Sequence, residues 1–381
     1  MTSSSYHVLF RFGPKGGRSH GAHPDSGSLI EVNGTLYGTT NSGGGSDDGT
    51  VYSITTSGSE NVLYSFKGGS DGAHPNAGLV DVNGTLYGTT NSGGTSNDGT
   101  VYSVSTSGSE KVLHSFAGGS DGAHPQASLI AVNGTLYGTT YYGGLSGCGT
   151  NESCGTVYSI STAGAEKILH SFKGGYDDGG NPESNLIDVN GTLYGTTQWG
   201  GAVCQCGTVY QMSISGSEKV LYSFRGSYYD DGENPEAGVI YANGTLYGTT
   251  EFGGGDNCGG ISGTCGTVYS VSTTGSEKVL HGFGAPDGGW QPRSGLIAVS
   301  GTLYGTTYYG GSGCGCGTVY SMTDAGKETV LYSFAGYSHH DGGNPVAGLT
   351  AVESTLYGTT HDGGSACKKS FGCGTAFALT P

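Results

Sequence analysis

The chain has 381 residues, of which 78 are glycine and only 12% are charged, and its formal net charge is −16. That acidity disfavours nucleic acid and anionic membrane surfaces as partners and leaves cations or neutral polar ligands. Glycine excess without a strict triplet excludes collagen, and strand motifs between the glycines argue against disorder. No run of 18 apolar residues is long enough to span a membrane as a helix.

The start, MTSSSYHVLF, has no basic segment followed by an apolar one, so any signal peptide is expected to have been removed or never to have existed. Tyr6 to Phe12 reads as a strand with no partners nearby in sequence. The first LYGTT follows at Leu36, and copies begin at Leu86, Leu136, Leu193, Leu246, Leu303 and Leu356. They lie about 50 to 57 residues apart, a period that signals a repeat architecture. The second copy shows the unit. Gly78 to Val82 reads as a strand, Asn83-Gly84 as a hairpin turn whose two residues tolerate positive φ, and Thr85 to Thr90 as the next strand. A Gly/Ser/Asn loop leads into Gly99 to Val104; Ser107 to Glu110 turns the chain, and Lys111 to Phe116 is the fourth strand. No stretch has a helical apolar period.

Four short antiparallel strands per unit predict an all-β fold, a seven-bladed β-propeller formed by the whole chain as a single domain. The blades are expected at approximately 28–66, 78–116, 128–171, 185–224, 238–283, 295–334 and 348–380, the last completed by 6–12. The C-terminus stops after a third-type strand, Gly374 to Leu379, and Tyr6 to Phe12 supplies the missing fourth, closing the ring and removing an exposed edge. The loops between second and third strands then share one face with the crossovers containing Asp-Gly-x-x-Pro. The tight NG and SGSEK turns share the other.

The series LYGTT…GG…CGTV followed by VLYSF…DG…P-x-A-G-L-I resembles the bacterial GloVer-type tandem repeats of secreted, surface-anchored propeller-like proteins. The resemblance covers essentially the whole chain and implies an extracellular or cell-surface location, but no general activity. Third strands here read VYS rather than VFKL, and the first two blades have no cysteine.

All ten cysteines lie in second-to-third loops of the last five blades, as Cys148 with Cys154, Cys204 with Cys206, Cys258 with Cys265, Cys314 with Cys316, and Cys367 with Cys373. They read as local disulfides formed in an oxidising compartment, the state of the two C-x-C pairs being left open. Zinc is the weaker reading, because one pair per blade supplies only two of the usual four ligands.

Two rings of candidate ligand-binding residues follow. The pair after LYGTT varies between blades: Asn41-Ser42, Asn91-Ser92, Tyr141-Tyr142, Gln198-Trp199, Glu251-Phe252, Tyr308-Tyr309 and His361-Asp362. Aromatic faces beside polar groups suit a sugar ring, although such aromatics also pack between Gly-rich loops. The residue before each crossover proline forms the second ring: His23, His74, His124, Asn181, Asn234, Gln291 and Asn344. Proline biases that position toward extended backbone. The ring is expected near the channel mouth, where it either binds a small polar ligand or hydrogen-bonds the neighbouring loop. Calcium at Asp230, Asp231 and Glu233 has no EF-hand pattern behind it, and no cofactor is expected. His20, His361 and Asp362 gather near the ring closure, whereas His114, His170 and His281 replace the tyrosine of VLYSF and read as structural.

The expectation from sequence is therefore a non-enzymatic, lectin-like binding propeller recognising a glycan or another neutral polar ligand. The alternatives are a self-assembling surface or matrix protein, and a polysaccharide-active enzyme with a His/Asp site at the closure.

Overall fold

The computed structural model describes residues 4–13, 20–24, 27–144, 154–254, 265–284, 288–364 and 372–381. Seven four-stranded antiparallel sheets form a closed propeller. In the second blade the strands are Val80–Val82, Thr85–Thr90, Thr100–Ser105 and Glu110–Ser115, paired in sequence order from the channel outward. The Asn-Gly hairpin has the predicted backbone, with Asn83 at φ 54° and Gly84 at φ 83°. Ser5–Arg11 pairs with Thr375–Thr380 and completes the seventh blade, as the truncated C-terminal unit predicts. Among the described residues there is no α-helix, and none is long and apolar enough to cross a membrane.

The core lies between blades. Phe66 of the first blade packs with Leu79, Leu86 and Tyr102 of the second, and equivalent clusters recur around the ring. Phe66 meets the Tyr102 ring edge-on at 5.0 Å, and Phe12 repeats that contact with Tyr52 at the closure, also at 5.0 Å. The glycine of LYGTT is required by this packing: a Cβ on Gly88 would lie 2.5 Å from the Tyr102 hydroxyl. Beneath it, the last threonine of LYGTT pairs with the first threonine of the third strand, as Thr90 does with Thr100 at 2.8 Å, so these two buried hydroxyls satisfy each other.

Cys204–Cys206 and Cys314–Cys316 are disulfides, with Cα separations of 5.1 and 5.3 Å. Cys154, Cys265 and Cys373 are also disulfide-bonded. Cys148, Cys258 and Cys367 lie outside the described residues.

Candidate active site at the channel mouth

Each crossover folds back onto the loop after the second strand of the blade it enters. Gly180 pairs with Trp199, Glu233 with Phe252, Trp290 with Tyr309, and Gly343 with Asp362. This contact brings the two predicted rings together on one face.

The residues before the crossover prolines depart from the extended backbone expected of them. His23, His74, His124, Asn181, Asn234, Gln291 and Asn344 all have φ between 53° and 56°. The reason is tertiary: in that conformation each N–H reaches a carbonyl of the preceding blade, as His74 does to Asp48 at 2.8 Å and Asn234 to Cys206 at 2.8 Å. Their side chains make a second stitch. Nδ1 of His74 donates to the carbonyl of Asn41 (2.9 Å), Nδ1 of His124 to that of Asn91 (2.8 Å), and Nδ2 of Asn181 and Asn344 to those of Tyr141 and Tyr308 (both 3.0 Å). This ring therefore joins blade to blade.

The pair after LYGTT splits in two directions. Its second members cover the face: Trp199 is 46% exposed and Tyr142 37%, Phe252 is half-buried, and Tyr309 stacks on Trp290 at 4.5 Å. Its first members turn toward the channel and meet the residue that follows the next crossover proline. Asn41 hydrogen-bonds Asn76, and Glu251 pairs with Arg293. The post-proline residues Asn76, Gln126, Glu183, Glu236, Arg293 and Val346 line a cavity of about 470 Å³ on the axis. Sequence reasoning missed this third ring. Comparing the repeats at that one position would have revealed it, because the residues are neutral in the second and third copies and charged in the next three.

Those charged residues form a compact group. Arg293 donates to the buried carboxylate of Glu251 through Nη2 (2.6 Å) and Nε (2.8 Å), and its Nε lies 3.9 Å from Glu236. The guanidinium also sits over the Tyr308 ring, 4.4 Å from its centre. Burial, a hydrogen bond with Glu251 and the charge of Glu251 hold Glu236 well above the usual carboxylate range. Glu236 thus keeps its proton at neutral pH, and Glu251 accepts twice from Arg293. Burial followed by the charge of Glu251 pushes Glu183 up to about 7. Tyr141, which donates to Gln198 (2.7 Å), is pushed up to about 12 by burial and then by Glu183. One carboxyl is held protonated and one titrates near neutrality beside a fixed guanidinium, a set suited to moving protons.

At the ring closure His23 stacks on His361 at 4.5 Å, and Asp362 lies 3.8 Å from His361 Nε2. His20 stands apart from them. It occupies the position of the crossover aspartate and pairs through Nδ1 with Glu60 at 2.9 Å. The acidic crossover considered for calcium is committed elsewhere: Asp231 accepts from the Tyr222 hydroxyl (2.6 Å) and from the N–H groups of Arg225 (2.9 Å) and Gly232 (2.7 Å).

Fold and site together define an all-β, seven-bladed propeller with a charged pocket at the mouth of its axial channel. The chain belongs to the Gloeobacter/Verrucomicrobia repeat family, whose sequence model matches residues 1–202 and 207–381. The sequence has no match among curated proteins. Among solved structures it resembles virginiamycin B lyase from Staphylococcus aureus, at 13% identity over 100% of both chains with a TM-score of 0.62. A streptogramin B lyase is similar at 13% identity over 99% of this chain and 97% of the other, TM-score 0.61. A putative 6-phosphogluconolactonase from Bacteroides uniformis follows at 12% identity over 91% and 98%, TM-score 0.55.

At these identities the likeness is one of fold. The expectation of a non-enzymatic, lectin-like module is corrected to this extent: the propellers of like fold named above are two lyases and a putative lactonase. The sequence reading named Glu251 among the variable pairs but not Glu183, Glu236 and Arg293 beside the channel.

Proposed function

We propose that the chain is an enzyme that cleaves a small polar substrate by acid–base chemistry at the channel mouth. The observation that carries this reading is the group Glu183, Glu236 and Glu251 around Arg293. Glu183, titrating near neutrality, takes a proton from a bound water or from a carbon beside a carbonyl. Glu236 hands its proton to the leaving oxygen. Arg293, fixed by Glu251, faces the negative charge that develops on the substrate oxygen. Tyr141 and Tyr308, beside that group, supply flat walls, and Trp199 and Tyr142 extend the surface outward. Proton transfer of this kind serves both a lyase and a lactonase, the reactions named for proteins of the same fold.

The substrate proposed is neutral or cationic, since the chain carries −16 and the pocket is predominantly acidic. The disulfides support work in an oxidising compartment, at the cell surface or outside the cell. The test is a panel of lactones and cyclic esters incubated with the oxidised protein, with products read by mass. Hydrolysis adds the elements of water, whereas elimination opens the ring without them. Turnover that disappears in Glu183→Gln supports the site, and turnover that survives in that variant removes Glu183 from it.

A further inference from the structure

At several blade interfaces the third residue of VLYSF or VLHSF, the crossover aspartate and the first glutamate of the next outer strand converge. In the first blade Tyr64 fills this node. Its hydroxyl donates to Asp71 (2.6 Å), with Glu110 beside it. Tyr222 does the same with Asp231 (2.6 Å), next to Glu277. A phenol is a donor and an acceptor, so it satisfies a carboxylate and adds no charge.

Histidine stands there in three blades; beside His281, which pairs with Glu328 at 3.4 Å, the crossover aspartate lies outside the described residues, and the other two nodes lie wholly within them. His114 Nε2, Asp121 and a Glu166 oxygen lie within 4.8 Å of one another, and so do the ligand atoms of His170, Asp178 and Glu218. His114 Nε2 is 3.2 Å from Asp121 Oδ2, and His170 Nε2 is 3.7 Å from Asp178 Oδ2. The edge of a tetrahedron built on zinc bonds of about 2.0–2.1 Å is roughly 3.3–3.4 Å, so these donors are spaced for one ion. The aspartate oxygens that face the imidazoles are also held by backbone N–H groups, Ala117 to Asp121 Oδ2 at 2.7 Å and Lys173 to Asp178 Oδ2 at 2.9 Å. The imidazoles are held edge-on by Phe116 and Phe172, each at 4.8 Å. Such outer contacts aim a metal ligand before the metal arrives. Buried donor atoms are also left over: Glu166 Oε1, Glu218 Oε1 and His170 Nε2 have no solvent access and no hydrogen-bond partner among the described residues. The partial exposure of His114 and Asp121 gives an ion a way in.

We infer that His114–Asp121–Glu166 and His170–Asp178–Glu218 are two binding sites for a divalent transition-metal ion of the zinc type, placed at consecutive blade interfaces. They are separate from the proposed catalytic pocket, and neither reading depends on the other.

The repeat supplies the test variant. Tyrosine already stands at this position in three blades, at Tyr64, Tyr222 and Tyr332, so H114Y and H170Y substitute a side chain that the same node accommodates. The oxidised full chain, stripped with a chelator, is titrated with Zn²⁺ by calorimetry and with Co²⁺ by visible absorption, and circular dichroism follows its folding. The expected result is that each single variant binds one equivalent fewer than the wild type and the double variant two fewer, with unchanged spectra for the fold. Wild-type protein that binds no Zn²⁺, or a folded double variant with undiminished stoichiometry, overturns the inference. The nodes would then be histidine–carboxylate pairs with a purely structural role.

Discussion

Around the blade interfaces the copies have stayed nearly alike, whereas around the channel mouth they have diverged. Phe66 and Phe116, with their tyrosine partners Tyr102 and Tyr158, keep one geometry from blade to blade, with ring separations of 5.0 and 5.2 Å. The residue after the crossover proline runs instead from Asn76 and Gln126 through Glu183 and Glu236 to Arg293 and Val346. A contact that holds two blades together is constrained by shape on both sides, so each copy must repeat it. A residue that faces an axial cavity has no such neighbour to satisfy. Its identity is free to serve chemistry, and three consecutive copies have become charged.

The comparison can be broken first on the structural side. Phe116 is fully buried and contacts both its own blade and Tyr158 of the next. Phe116→Ala is expected to cost about 3–5 kcal/mol, read as a lower midpoint in urea unfolding. A loss under 1 kcal/mol would mean that the interface carries less than its geometry implies.

Arg293 tests the other ring. Arg293→Met leaves Glu251 buried beside Glu236 without its two charged hydrogen bonds, at an expected cost on the order of 2 kcal/mol. Part of that loss should be recovered in acid, where the carboxyls protonate. Equal losses at pH 5 and pH 7.5 would contradict the assigned charges.

The tyrosine-type nodes give a smaller, pH-dependent effect. Burial, followed by the charge of the adjacent aspartate, pushes Glu110 and Glu277 up to about 7. Unfolded glutamate titrates near 4.3, so between roughly 4.3 and 7 the native state holds more protons than the unfolded chain. The stability these groups favour is therefore complete below that window and is lost as pH rises through it. Thermal unfolding in chelating buffer should show Tm falling by on the order of a few degrees from pH 5 to pH 7.5. The double variant Glu110→Gln, Glu277→Gln should flatten the slope, and an unchanged slope would locate it elsewhere.

The smallest effect belongs to Tyr102. Its hydroxyl is buried with no hydrogen-bond partner among the described residues, and Phe377 fills the same place in the seventh blade. Tyr102→Phe should shift stability by less than about 0.5 kcal/mol. A loss above 1 kcal/mol would reveal a bond to that hydroxyl.

The sequence made the fold legible because its information is local and repeated. LYGTT, the Asn-Gly turns and the unpaired strand at Tyr6 to Phe12 each name an element or its partner. The site was legible only in part. Glu251 stood out in the variable pair after LYGTT, but its partner Arg293 is 42 residues away, and only the packing of one blade against the next places them together. The left-handed backbone at His74 and its equivalents was hidden for a similar reason: proline disfavours it locally, and hydrogen bonds from the neighbouring blade outweigh that preference. His114 and His170 looked like conservative replacements of tyrosine, because the aspartate and glutamate they meet come from a crossover and from the next blade.

The most direct test of catalysis at the channel mouth is turnover by wild-type and Glu236→Gln protein, side by side, on the lactone and cyclic-ester panel, with Tm recorded for both. The account predicts wild-type turnover that falls by about 10²–10⁴-fold in the variant, with the two proteins unfolding within a few degrees of each other. Full turnover in Glu236→Gln, or none by the wild type across the panel, would contradict it.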